Sequence, residues 1–149
     1  MKKIFLLLAL FTLCLCGSAQ TYTHKWNDFY DRTDYFDSQG NLIGWAKYND
    51  FYQRMEYFDA QGNLQETEKE NDFYQRRETK DKYGKLKSTK KYNDFYKREE
   101  IKDRNGRTTG WKKWNDFYKR YEYFDADGNM KGYKKYNDFY KRWEYFDVR

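Results

Sequence analysis

The tetrapeptide Asn-Asp-Phe-Tyr begins at Asn27, Asn49, Asn71, Asn93, Asn115 and Asn137, always at the same 22-residue interval. Self-similarity at a fixed period identifies a stack of equivalent supersecondary units. Counted from the preceding residue, the units start at Trp26, Tyr48, Glu70, Tyr92, Trp114 and Tyr136. Each carries two turn signals, Asn-Asp between aromatics and Asp-x-x-Gly-Asn, as in Asp125-Ala126-Asp127-Gly128-Asn129. Gly and Asn accept the left-handed backbone that such turns need. Short runs of Tyr, Phe and Trp separate them and favour strand. The chain has no Pro, so every strand residue can offer its N–H to a ladder.

These features predict an all-β fold of six hairpins, twelve strands in continuous antiparallel order. Pairing across a two-residue Asn-Asp turn and a four-residue turn after the Asp keeps the same residues on each face. One face repeats closely: Arg32, Arg54, Arg76, Arg98, Arg120 and Arg142, each followed two positions on by an acid. The other varies at Thr33, Met55, Arg77, Glu99, Tyr121 and Trp143. Tolerance of variety points to solvent at the second face and packing at the first. Arg and Glu two apart on one face also predict a cross-strand ladder of ion pairs.

Residues 20–149 fall short of six full units by one Gly-Asn pair. The chain therefore reads as a ring of hairpins cut open at one turn, with residues 22–25 pairing with residues 140–147. Closure into a shallow barrel removes both sheet edges. The rival architecture is an open repeat sheet or solenoid.

Composition limits what fills this frame. Residues 20–149 hold only eight Leu, Ile, Val and Met: Leu42, Ile43, Met55, Leu64, Leu86, Ile101, Met130 and Val148. With 36% charged residues, that poverty would suggest disorder. The 23% aromatic content opposes this, since each ring buries about 150–250 Å². Any core must be built from rings.

The first residues have another character. Met1-Lys2-Lys3 precedes an apolar run from Ile4 to Cys16, and Gly17-Ser18-Ala19 offers a cleavage point. This is a signal-peptide pattern, too short to span a bilayer as a helix. It predicts removal of residues 1–19 and export of one domain, residues 20–149, to the periplasm, the outer-membrane surface or the exterior. Leu13 and Leu15 precede Cys14 and Cys16, where lipidation requires a small residue, which disfavours a lipid anchor. Without its first 19 residues the chain has no thiol. Its formal charge falls from +6 to +4, too weak for a dedicated nucleic-acid binder.

Chemistry is sparse. His24 is the one histidine, so a triad or a His-based metal cluster is not expected. Asp125-Ala126-Asp127-Gly128-Asn129 hints at a calcium loop. A full loop needs about five oxygen-bearing positions and a bidentate Glu at its twelfth residue. The other units offer Ser38-Gln39, Ala60-Gln61, Lys82-Tyr83 and Arg104-Asn105 there, which favours a turn. Six equivalent acids look structural, whereas a catalyst needs one special pair. No cofactor and no enzymatic activity are expected. Candidate binding residues are exposed aromatics beside cations: Trp26, Trp45, Trp111, Trp114 and Trp143, with Trp45 paired to Trp26 and Trp111 to Trp114. The competing account is that these rings are the core. In the third and fourth units Tyr-Phe becomes Thr79-Lys80 and Ile101-Lys102, making that side more cationic.

Glu122-Tyr123-Phe124-Asp125-Ala126-Asp127-Gly128-Asn129-Met130 resembles the YD repeat of bacterial surface and toxin-shell proteins. Unit length and the Lys-Gly-Tyr/Trp-Lys stretch resemble MORN-type hairpin repeats, including antitoxin-like versions. The closed, secreted hairpin ring is similar to the shallow barrels called β-flowers, which are compared in shape with lipid-binding Tubby-like barrels. The expectation from the whole reading is a non-enzymatic, monomeric envelope protein that binds an anionic or carbohydrate partner, a lipid headgroup or another envelope protein. None of these repeats defines an active site. The alternative is a protein–protein module of immunity, antitoxin-like or structural type.

Overall fold

A computed structural model describes residues 22–148; the signal-peptide and Cys14/Cys16 expectations lie outside these residues. Twelve strands form one closed antiparallel barrel: β1 (Tyr22–Asn27), β2 (Arg32–Phe36), β3 (Leu42–Asn49), β4 (Arg54–Asp59), β5 (Leu64–Asn71), β6 (Arg76–Asp81), β7 (Leu86–Asn93), β8 (Arg98–Asp103), β9 (Thr108–Asn115), β10 (Arg120–Asp125), β11 (Met130–Asn137) and β12 (Arg142–Asp147). Each strand pairs with its sequence neighbours, and β1 pairs with β12 through Tyr22↔Tyr145, Thr23↔Glu144 and His24↔Trp143. The open sheet and solenoid are thereby set aside.

The Asn-Asp turn is longer than two residues. Asn115 pairs with Arg120, so Asp116 to Lys119 form a four-residue loop. The left-handed residue is the last of the four: Asp31, Gln53, Gln75, Lys97, Lys119 and Lys141 have φ near +50°. Asn holds the loop instead, its Oδ1 accepting the Tyr N–H at 3.1–3.3 Å in every hairpin, as from Tyr52 and Tyr118. Each residue before the loop thereby faces a partner four positions later than a two-residue turn gives (Trp114 faces Tyr121 and not Phe117), an even shift that leaves the facing of each strand residue unchanged.

At the other end the turn is one residue shorter than the expected four: the Asp125 N–H donates to the Asn129 carbonyl at 3.0 Å, so residues 126–128 form the loop. Asp Oδ1 accepts two backbone N–H groups, as Asp125 does from Asp127 and Asn129 at 3.0 and 2.9 Å. A bulge follows: Tyr123 faces Gly132 while Phe124 faces Met130, leaving Lys131 extra. Met130 thus joins the side of Phe124, not that of Tyr123 as the unbroken register predicts.

The expected inside and outside are reversed. Arg77 on β6 binds Glu99 on β8, Lys90 on β7 binds Glu68 on β5 at 2.5 Å, and Tyr121 on β10 lies 6.0 Å from Trp143 on β12. Side chains two strands apart converge only on the concave side of a sheet. The variable face lines the lumen, and the repeating Arg–Glu face is the outer wall. The reason is geometric. An outer side chain meets only its own strand and the next one, so identical repeats suffice. An inner side chain meets several strands, so six copies of one residue cannot fill the space.

The lumen has two unlike halves. Glu68, Arg77, Lys90, Glu99 and Lys112 form an ion-pair network on β5–β9, and Glu66 on β5 pairs separately with Lys87 on β7. Tyr22, His24, Tyr35, Tyr123, Trp143 and Tyr145 pack around the seam between β1 and β12. Burial pushes the Tyr35 phenol up to about 12 and Tyr22, Tyr57 and Tyr123 well above their ordinary value. The expectation that any core must be built from rings thus holds for the seam half alone. Among the described residues Tyr145 is the buried ring, and Ala46 and Ile101 are the buried aliphatic side chains. Glu66, Glu68 and Glu99 are buried in the other half, where paired charges take the place of apolar packing.

Candidate functional site: the outer wall and the aromatic mouth

The outer wall is built from a local stack. Arg32 lies between the Tyr30 ring at 4.6 Å and the Trp45 ring at 4.8 Å, and Trp45 stacks on Phe58 at 3.9 Å. Arg98 with Trp111 and Phe124, and Arg120 with Tyr133 and Phe146, repeat the arrangement. Each Arg also binds the acid two residues on in its own strand, as Arg54 binds Glu56 at 2.6 Å. The expected cross-strand ladder is thus an in-strand pair. Asn reaches the same acid across the hairpin, as Asn71 does to Glu78 at 3.0 Å. Arg76 and Asn71 override the modest burial of Glu78 and hold its carboxyl below the usual range.

Three hairpins lack the paired rings, the first because Thr23 faces Phe36. In the other two, Thr67 faces Lys80 and Thr89 faces Lys102 where three hairpins carry aromatic pairs. The missing rings leave a groove of about 380 Å³ bordered by Arg76, Thr89, Lys91, Glu100 and Lys102. Lys80 is half-exposed and lies 3.9 Å from Glu78. Lys80 and Lys102 therefore occupy equivalent outward positions on adjacent hairpins.

The tryptophans do not form one site. Trp45 and Trp111 belong to the outer stacks. Trp26 and Trp114 are on the inner face at the Asn-Asp mouth, 53% and 38% exposed, so the wall separates the two expected pairs. Trp143 lies inside, with Lys134 5.0 Å above it and His24 beside it. The Asp125 carboxylate already accepts N–H groups from Asp127 and Asn129, which fits the turn reading of that loop. Among the described residues no group of three or more His, Cys, Asp or Glu is arranged to hold a metal ion.

One feature was not singled out by sequence reasoning. Phe29, Phe51, Phe73, Phe95, Phe117 and Phe139 project from the Asn-Asp loops, each 85–86% exposed. Periodicity showed their position but not their exposure, because the loop was read two residues too short.

No family model and no curated protein matches this chain. Among solved structures it is similar to a protein from Arabidopsis thaliana, with a TM-score of 0.63 and 12% identity over 89% of this chain and 82% of that one. At this identity the likeness concerns the fold alone.

Proposed function

We propose that the protein is a non-enzymatic, exported repeat barrel of the bacterial envelope that binds an anionic group, phosphate or carboxylate, borne by a glycan or a lipid head. The observation that carries this reading is the pair of Thr–Lys substitutions on the outer wall. They replace stacked rings with the half-exposed ammonium of Lys80 and, one hairpin on, with Lys102 beside an open groove that also holds Arg76 and Lys91. The likeness of the hairpins to YD, MORN-type and β-flower repeats supports the same reading, as does the apolar leader sequence.

Titration of the purified protein with anionic vesicles and with acidic glycans tests it. Binding to one of them should weaken as salt rises and be lost in a Lys80→Phe/Lys102→Phe variant, which removes both cations and leaves Phe opposite Thr, as Phe36 stands opposite Thr23. Salt-insensitive capture of a single stoichiometric protein would favour the interaction-module reading instead.

A further inference from the structure

We infer that the six-phenylalanine mouth is a membrane-seating surface that places Phe29, Phe51, Phe73, Phe95, Phe117 and Phe139 at the headgroup–acyl boundary of a bilayer containing zwitterionic lipid. This goes beyond the anion-binding wall, whose groove adjoins the mouth at Lys91, Tyr92, Asn93 and Asp94.

Folding does not require these rings. Each touches its neighbouring Tyr edge-on at 4.8–4.9 Å and is otherwise bare. Asn, Tyr and the left-handed residue close the loop without them. Six such side chains together expose on the order of 10³ Å² of ring surface.

Closure sets their common level. Equivalent loops of a closed ring of equal hairpins end at the same height, so the six tips define a plane. Half-exposed Trp26, Tyr48 and Tyr92 continue that surface inward. A planar array of separated rings suits a flat, deformable target. Aromatic rings are favoured at the membrane interface.

Charge selects the occupant. Each tip carries an Asp next to its Phe, and Lys47, Lys69 and Lys91 stand behind, bound to the loop carbonyls of Tyr30, Tyr52 and Tyr74 at 3.0–3.3 Å. Both signs match headgroups that hold an ammonium and a phosphate. Two copies placed mouth to mouth would instead oppose Asp ring to Asp ring, and like charges in register are disfavoured.

The test is flotation of the protein, expressed from its full coding sequence in an exporting host, with neutral phosphatidylcholine–phosphatidylethanolamine vesicles at high salt. Wild type and Lys80→Phe/Lys102→Phe should float alike, which separates this surface from the anionic one. A Phe51→Ser/Phe95→Ser/Phe139→Ser variant should lose roughly tenfold or more in partitioning, with its circular dichroism unchanged. In the wild type, brominated lipid should quench the tryptophan emission, a readout that needs no variant. Wild type left unfloated, no quenching, or a folded triple variant that floats as well as wild type would each overturn the inference. So would a wild-type dimer that the triple variant abolishes.

Discussion

His24 of β1 stacks on Trp143 of β12, ring centroids 6.3 Å apart and planes within 10°, across the one pair of neighbouring strands that no turn joins. Its Nδ1 meets no hydrogen-bond partner among the described residues. Burial, and secondarily Lys134, lower the imidazole from 6.5 to about 3. Between these values the unfolded chain binds the proton and the folded barrel does not. Stability should therefore fall as pH drops from 6.5 toward 3, at up to about 1.4 kcal/mol per pH unit for this proton. His24→Phe should remove that slope, measured by denaturant melts across the window.

Lys134 is a lumen cation set over the Trp143 ring. Burial first, and Lys112 second, lower its ammonium to about 8 from 10.5. The folded state thus binds the proton less well, a penalty that is complete below about 8 and vanishes as pH rises through 10.5. Lys134→Met should raise the melting temperature at pH 7 by a few degrees, with the gain shrinking at alkaline pH. Thermal melts at the two pH values decide it.

Arg77 bridges Glu68 and Glu99 across the charged half of the lumen. Burial opposes ionisation of Glu68, but Lys90 and Arg77 override it and hold its carboxyl below the usual range. That contribution is present above the unfolded value and is lost as pH falls through the folded one. Arg77→Met should destabilise by about 1–2 kcal/mol, the low end for a charge pair because the guanidinium is partly exposed. Acid unfolding should also begin at higher pH, read by circular dichroism.

Two backbone positions should respond in opposite directions. A Cβ at Gly132 would run into the Tyr145 hydroxyl and lie 2.6 Å from the Phe146 carbonyl oxygen. Gly132→Ala should cost about 1–3 kcal/mol. Lys119 sits at φ 51°, strained for a residue with a Cβ. Lys119→Gly should be neutral or stabilising by up to about 1 kcal/mol, since relief of strain exceeds the entropy lost. Chemical denaturation separates the two.

Strand pairing at the seam predicts tolerance of circular permutation. Joining residue 149 to residue 20 through Gly-Asn, and opening the chain between Gly84 and Lys85, should yield a barrel melting within roughly 10 °C of the parent. A permutant without strand-rich circular dichroism would contradict the register of Tyr22 with Tyr145.

The period and turn residues foretold twelve strands, their order and the pairing of β1 with β12, because local turn chemistry repeats six times and each repeat obeys the same alternation. Which face turns inward was not legible. The regularity of Arg32, Arg54 and Arg76 looked like packing, yet it reflects contacts confined to adjacent strands. The irregularity of Thr33, Arg77 and Trp143 looked like solvent, yet it reflects an enclosed space with unlike neighbours. Lys80 and Lys102 stood out as breaks in the repeat and do share a wall. Phe29 and its equivalents were hidden by their regularity and by a loop whose length depends on a left-handed Asp31, Gln53 or Lys97, residue types that do not announce that conformation.

The meeting of β1 with β12 joins segments about 120 residues apart in the chain, whereas every other pairing is local. Hairpins can zip in order as the polypeptide emerges, but the last ladder must wait for the final strand. Until it arrives, two raw edges face the surroundings. Sealing is therefore a late, long-range event, and the stacked His24 and Trp143 are the clasp that completes it.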